Sequence, residues 1–151
     1  AIHKPSRLIE SFEGDWEKEW FTYKPDEWAR VTHKIGDQTY KAPDGAALAV
    51  DVLSQQSNAL VVLIDDYAAE IQLNGGGKWQ SVVLTPQDFR DAGGDSLSSW
   101  NNIRRLKLTS AEHLKPKRGS EEEPRLIGKR WIGAKPRFRK LRWQLTNTLG
   151  E

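Results

Sequence analysis

Near its C-terminal end the chain runs Arg130-Trp131-Ile132-Gly133-Ala134-Lys135-Pro136-Arg137-Phe138-Arg139-Lys140-Leu141-Arg142-Trp143, in which cationic groups are interleaved with indole and phenyl rings. A flat aromatic face can cover the apolar C–H side of a pyranose, while nearby donors and acceptors take its hydroxyls. Arginine adds a planar fork whose two parallel N–H groups match a carboxylate or sulfate. The chemistry these residue types offer is recognition of a sugar, and of an anionic sugar in particular. Charge placement points the same way. Lys115 to Trp143 holds 11 Lys or Arg against three Glu, although the whole chain carries a net charge of only +2. Positive potential concentrated in this way attracts polyanions; the plain alternative is a solvated basic face with no ligand.

Strand alternation selects the candidate contacts. In the last strand Leu141, Trp143 and Leu145 share one face, assigned to the core, and Phe138, Lys140 and Arg142 share the other, expected to be exposed. Trp28, Arg30 and Thr32 then join that exposed face from another strand. Arg130 and Trp131 offer a loop-borne cation beside an indole, and Arg137 lies within the same basic stretch. Tyr40 and Tyr67, with Tyr23, lie near strand ends or loops and are further candidates. The expected sugar contacts are thus Trp28, Arg30, Tyr40, Tyr67, Arg130, Trp131, Arg137, Lys140 and Arg142. Most of the seven tryptophans are expected in the core, because indole is well buried on average.

Patterns for other chemistry are weak or missing. Gly75-Gly76-Gly77-Lys78 lacks the Ser or Thr and the following helix of a phosphate loop, and reads as a hairpin turn. His3, His33 and His113 are scattered without metal-ligand spacing. Asp65 and Asp66 are neighbours on a strand and so point apart, while Glu121, Glu122 and Glu123 lie in a polar loop. Neither cluster makes a convincing acid and base pair for glycoside hydrolysis. No G-x-S-x-G is present, so no nucleophilic triad is indicated, and the expectation is a protein that is not an enzyme.

The positioning elements are strands. Alternation marks Leu8 to Phe12, Trp20 to Tyr23, Trp28 to His33, Leu48 to Leu53, Leu60 to Asp65, Tyr67 to Leu73, Trp79 to Leu84, Ile103 to Thr109 and Phe138 to Leu145. Turn formers separate them, among them Asp44-Gly45, Asn74-Gly75 and Gly93-Gly94. Thr85-Pro86 followed by Asp88 predicts a capped helical turn that carries Phe89 inward. Leu97, Trp100 and Ile103, spaced by three, predict a second short turn. Residues 115–133 read as a surface loop inserted into a single 1–151 domain. At 151 residues without cysteine, the chain can build a core without disulfides or thiolate metal sites. No apolar run has the length of a membrane span. With no Met and no signal-peptide pattern, the chain is expected to be a mature or excised piece of a larger secreted protein.

The series W-x-x-V-x-L-x-x-x-D-F from Trp79, then L-x-x-W-x-x-I-x-x-L-x-L from Leu97, resembles the galactose-binding-like β-sandwich family of carbohydrate-binding modules. Leu8 to Gly14 is similar to the first strand of such modules, and Ala42 to Leu48 to the turn before their central strand. The resemblance spans roughly residues 7 to 145. It implies an all-β jelly roll of two antiparallel sheets. It also implies a structural calcium joining a Glu of the first strand, which Glu13 matches, to an Asp of the last. FRKLRW carries cations where such acids fall, so an ion pair from Glu13 to Lys140 or Arg142 is expected in calcium's place. The function implied is a noncatalytic module holding an attached enzyme on an acidic polysaccharide, with sulfated algal glycans among the fitting ligands. The alternatives are an accessory sandwich docked on its parent enzyme and a polysaccharide-degrading enzyme. Nucleic acid fits less well, because the triple-Glu loop interrupts the basic region and no nucleic-acid motif is present.

Overall fold

The computed structural model describes residues 7–22, 27–116, 119 and 121–145. Strands form at β1 (Arg7–Glu10), β2 (Arg30–Thr32), β3 (Ala46–Ser54), β4 (Asn58–Ile64), β5 (Tyr67–Leu73), β6 (Lys78–Leu84), β7 (Leu106–Thr109), β8 (Ala111–Leu114), β9 (Arg125–Gly128) and β10 (Arg137–Leu145). They assemble into an antiparallel sheet β1-β10-β3-β6, a second antiparallel sheet β2-β7-β4-β5, and a small β8-β9 pair. The two four-stranded sheets pack as a β-sandwich, as the many short alternating segments predict.

Between the sheets lie Leu48, Val50 and Val52 of β3, Leu60, Val62 and Ile64 of β4, and Leu141 and Trp143 of β10. Three innermost indoles each have a partner for the ring N–H. Trp100 Nε1 donates to Ala46 O at 2.8 Å, Trp143 Nε1 to Tyr40 O at 2.6 Å, and Trp20 Nε1 to Glu10 Oε1 at 2.8 Å. Burial of indole leaves its donor without water, so these bonds allow Trp to sit in the core at all. Phe89 is fully enclosed against Trp100, the ring centroids 5.7 Å apart. The turn Pro86–Asp88 delivers it there, closed by the Thr85 N–H donating to Asp88 Oδ2 at 2.8 Å.

Four local expectations change. Trp20 to Tyr23 is not a strand: Phe21 makes a single bridge to Val31, and Tyr23 lies outside the described residues. Leu97, Trp100 and Ile103 are buried from an irregular segment, so their spacing reflects core contact rather than a helical turn. The Gly75–Gly77 run is a turn but not a hairpin, since β5 and β6 belong to opposite sheets. A Cβ on Gly75 would come within 2.6 Å of the Gln56 backbone, which is why glycine stands at this crossing.

The expected inserted loop at 115–133 contains β9, which pairs antiparallel with β8. This pair lies on the outside of the second sheet, where Leu114 and Ile127 pack with Val61, Leu63 and Ala68. Gly128 makes the close approach possible. At φ 81°, a Cβ there would run into Ser110 O and come within 2.6 Å of Val61 Cγ2. Beyond β9, the buried Asn58 side chain holds the backbone of Ile132, donating to its carbonyl at 2.9 Å and accepting its N–H at 2.8 Å.

Candidate functional site

A one-residue irregularity in β10 decides which side chains reach the surface. Arg139 pairs with Asp51 and Arg142 with Ala49, so β10 spends three residues where β3 spends two. The extra residue is Lys140, at φ 53°. The alternation therefore reverses across the bulge. Phe138 points to the core side with Leu141 and Trp143, whereas Arg137, Arg139 and Arg142 line up on the outer face. The expected outward set of Phe138, Lys140 and Arg142 is corrected accordingly: of these only Arg142 lies on the outer sheet face. Trp28, Arg30 and Thr32 do not share that face either, because β2 belongs to the opposite sheet.

What completes the outer face is Trp79 of β6. Its register partner is Leu53, which in turn faces Arg137, so Trp79 and the arginines flank β3 from both sides. The Arg139 guanidinium carbon sits 4.1 Å from the Trp79 ring centroid and that of Arg137 5.6 Å, both within cation–π range. Asp51 lies at the centre of the row. It accepts from Arg139 Nε at 3.0 Å, Ser81 Oγ at 2.9 Å and Arg142 Nη1 at 3.3 Å. Burial pushes the Asp51 carboxyl up, but the Arg139 and Ser81 hydrogen bonds and the Arg142 charge outweigh it and hold its pKa below the ordinary carboxylate value. Two guanidiniums thus share one carboxylate while Arg137 stands over Trp79, and the three arginines against Asp51 leave the face with a surplus of positive charge.

A cleft of about 470 Å³ opens at the end of the sandwich where β10 begins, lined by Phe12, Trp16, Trp28, Arg30, Arg137 and Phe138 among others. Trp28 stacks edge-on against Trp131, centroids 5.0 Å apart, and Trp131 Nε1 donates to Ala134 O at 2.8 Å. The fold thereby brings together Trp28, Arg30 and Arg137, with Trp131 behind them. Arg30 is partly engaged: its Nη1 donates to Glu27 O at 2.7 Å, and its Nη2 lies 3.8 Å from Glu17 Oε2.

The other expected contacts are dispersed. Tyr40 lines a separate groove with Glu10, Glu13, Asp15 and Glu19, a negative setting for an acidic glycan, under the Lys34 ammonium at 5.1 Å. Tyr67 opens β5, the edge strand of the second sheet. Arg130 is exposed on the segment after β9, and Lys140 is exposed at the bulge. The ion pair expected from Glu13 to Lys140 or Arg142 is not formed among the described residues; Arg142 pairs with Asp51. Nor do the described residues contain a group of three or more His, Asp or Glu side chains placed to hold a metal ion.

Trp79, Arg139, Asp51 and Ser81 were absent from the sequence-based candidates. A signal for Trp79 existed: Leu84 must point inward to lead into the Phe89 turn, and odd-numbered residues of β6 then point outward. Of the seven tryptophans, Trp79 alone is not part of the core or packed against it. No such signal marked Arg139, whose direction depends on the bulge. Comparisons with protein-family models, with curated proteins and with solved structures return no match to this chain.

Proposed function

We propose that this chain is a noncatalytic carbohydrate-binding module, a galactose-binding-like jelly roll that holds the polysaccharide-active enzyme of a larger secreted protein on an acidic glycan. Sulfated algal polysaccharides have the matching charge. The observation that carries the reading is the outer sheet face: a half-exposed indole flanked by two arginines, in a row of three guanidiniums of which two share Asp51. An extended acidic chain laid across β10, β3 and β6 meets cations for its anionic groups and an indole for its ring faces. The cleft of Trp28, Arg30 and Arg137 adjoins this face through Arg137. Modest affinity is sufficient for such a role, because tethering turns it into a high effective concentration for the attached domain.

Affinity electrophoresis through gels containing neutral, uronic or sulfated polysaccharides tests the reading. Retardation is expected in the acidic gels, reduced by added salt and weakened about tenfold or more by Trp79→Ala or Arg139→Ala. Equal migration in every gel would sink it. Exposed Leu8 and Val83 on the same face favour a second reading, in which this surface docks on the parent enzyme. That reading predicts that the domain gains thermal stability when joined to its parent and that glycan does not compete for the surface.

A further inference from the structure

The chain crosses from one sheet to the other between β5 and β6, and the crossing opens on Asn74-Gly75. Asn74 is exposed. Its main chain is held on both sides: the N–H donates to Gln80 Oε1 at 3.1 Å, and the carbonyl accepts from Ser57 Oγ at 3.1 Å. Its side-chain amide has no partner among the described residues, and neither has the N–H of Gly75.

These two idle groups can react with each other. The side-chain carbonyl carbon of an asparagine and the amide nitrogen of the next residue are the two ends of a five-membered ring, which is one reason asparagine is thermolabile. A side chain on the next residue hinders closure of that ring, and a hydrogen bond to its N–H withholds the nitrogen. Neither obstacle is present at Gly75. Nor can the fold exchange the glycine for a more protective residue: at φ 79°, a Cβ there would lie 2.6 Å from the Gln56 carbonyl carbon and 2.7 Å from Ser57 N. The residue that lets the crossing close is also the one that leaves Asn74 open to attack. The other described asparagines differ. Asn58 is buried and bonded to Ile132, while Asn101 and Asn102 precede residues with side chains, the second of them the β-branched Ile103.

We infer that Asn74 is a self-modifying site, at which the folded protein converts a side-chain amide into a carboxylate with water as the only co-reactant. The Gly75 nitrogen gives its proton to hydroxide and attacks Asn74 Cγ. The N–Cγ bond forms, the Cγ–Nδ2 bond breaks, and the leaving nitrogen takes up a proton and departs as ammonia, leaving a succinimide. Water then opens the ring at either carbonyl. Cleavage of the new N–Cγ bond gives aspartate; cleavage at the main-chain carbonyl gives isoaspartate, whose main chain runs through Cβ. Either product adds a negative charge to the turn that leads into β6, the strand carrying Trp79.

Incubation of the folded protein at mildly acidic and mildly alkaline pH, followed by peptide mapping with mass spectrometry and an assay for free ammonia, tests it. Conversion is expected at Asn74 about tenfold or more faster than at Asn58, Asn101 or Asn102, and faster at the higher pH because the attacking nitrogen must lose its proton. Asn74→Gln keeps an exposed amide but requires a larger ring, and is expected to remove the early ammonia release without moving the urea midpoint. An Asn74 that stays intact in the folded protein, over a time in which the urea-unfolded chain converts there, overturns the inference. So does ammonia release that is the same in Asn74→Gln. The readout is chemical and uses no glycan, so the inference stands or falls separately from the acidic-glycan reading.

Discussion

The outer faces of the two sheets solve the same problem in different ways. Both central strands, β3 and β4, are buried along their whole length, so each must be covered on the side away from the core. On β4 the cover is backbone: the β8-β9 pair lays Leu114 and Ile127 over Val61 and Leu63. On β3 the cover is side chain, with Trp79, Arg137, Arg139 and Arg142 reaching over Leu53, Asp51 and Ala49 from the strands on either side. An apolar lid excludes partners. A lid of arginine stems and indole leaves charged heads in contact with solvent, and can be lifted or matched by a ligand. The difference teaches that uniform burial along a strand does not by itself mark a face as structural.

Breaking the apolar lid carries the largest cost. Gly128→Val places a branched side chain at φ 81° against Ser110 O and Val61, and is expected to destabilise the protein by about 3 kcal/mol or more, read as a lowered midpoint in urea. Binding at the arginine face of the folded fraction should persist. A midpoint unchanged by the substitution would mean that the β8-β9 pair contributes nothing to holding the second sheet.

Removing the charge at the centre of the other lid comes next. Asp51→Asn takes away the carboxylate that accepts from Arg139, Ser81 and Arg142, and a loss of about 1–3 kcal/mol is expected at neutral pH. The pH dependence follows from the lowered Asp51 pKa. A depressed carboxylate contributes stability above its unfolded value, about 3.9, and loses that contribution as pH falls through the folded value. Parent and variant should therefore converge in urea midpoint as the pH falls below about 4. Parallel curves down to acid pH would show that the ion pairs are not what Asp51 contributes.

Asn58→Ala sharpens the comparison where the two regions meet, because Asn58 begins β4 yet holds Ile132, next to the Trp131 that backs the cleft. Losing the two hydrogen bonds to Ile132, together with those from Asn58 Nδ2 to Ser54 Oγ and Gln56 O, should cost about 1–3 kcal/mol and broaden the Trp131 indole resonance. The smallest effect is expected at Lys107 and Glu112, a half-exposed pair 2.8 Å apart beside the apolar lid. Glu112→Gln should change stability by about 1 kcal/mol at most, as surface pairs usually do, and should leave glycan retention unaltered.

How legible each region was depends on how local its cause is. The Thr85–Phe89 turn was readable because cap, proline and carboxylate act within five residues, and Phe89 lies where that turn delivers it. Strands β3 to β6 were readable because aliphatic and β-branched runs bounded by turn formers leave little alternative. Trp28 and Trp131 looked like ligand contacts because they stand beside cations in the sequence, yet each is packed against the other and against the core. The β8-β9 pair was hidden because β9 has only four residues and its burial comes from β4, more than sixty positions earlier.

By itself the sequence determined an all-β sandwich, a preference of most of its indoles for the core or its margin, and a basic C-terminal third. These follow from residue type and period, properties each segment carries wherever it is placed. Only the tertiary structure decided which cations meet an aromatic ring. That outcome turns on Lys140, a single extra residue in β10 whose bulge exists only against β3, and which reverses the facing of every side chain on one side of it. A period of two cannot register a phase change that originates in its partner strand.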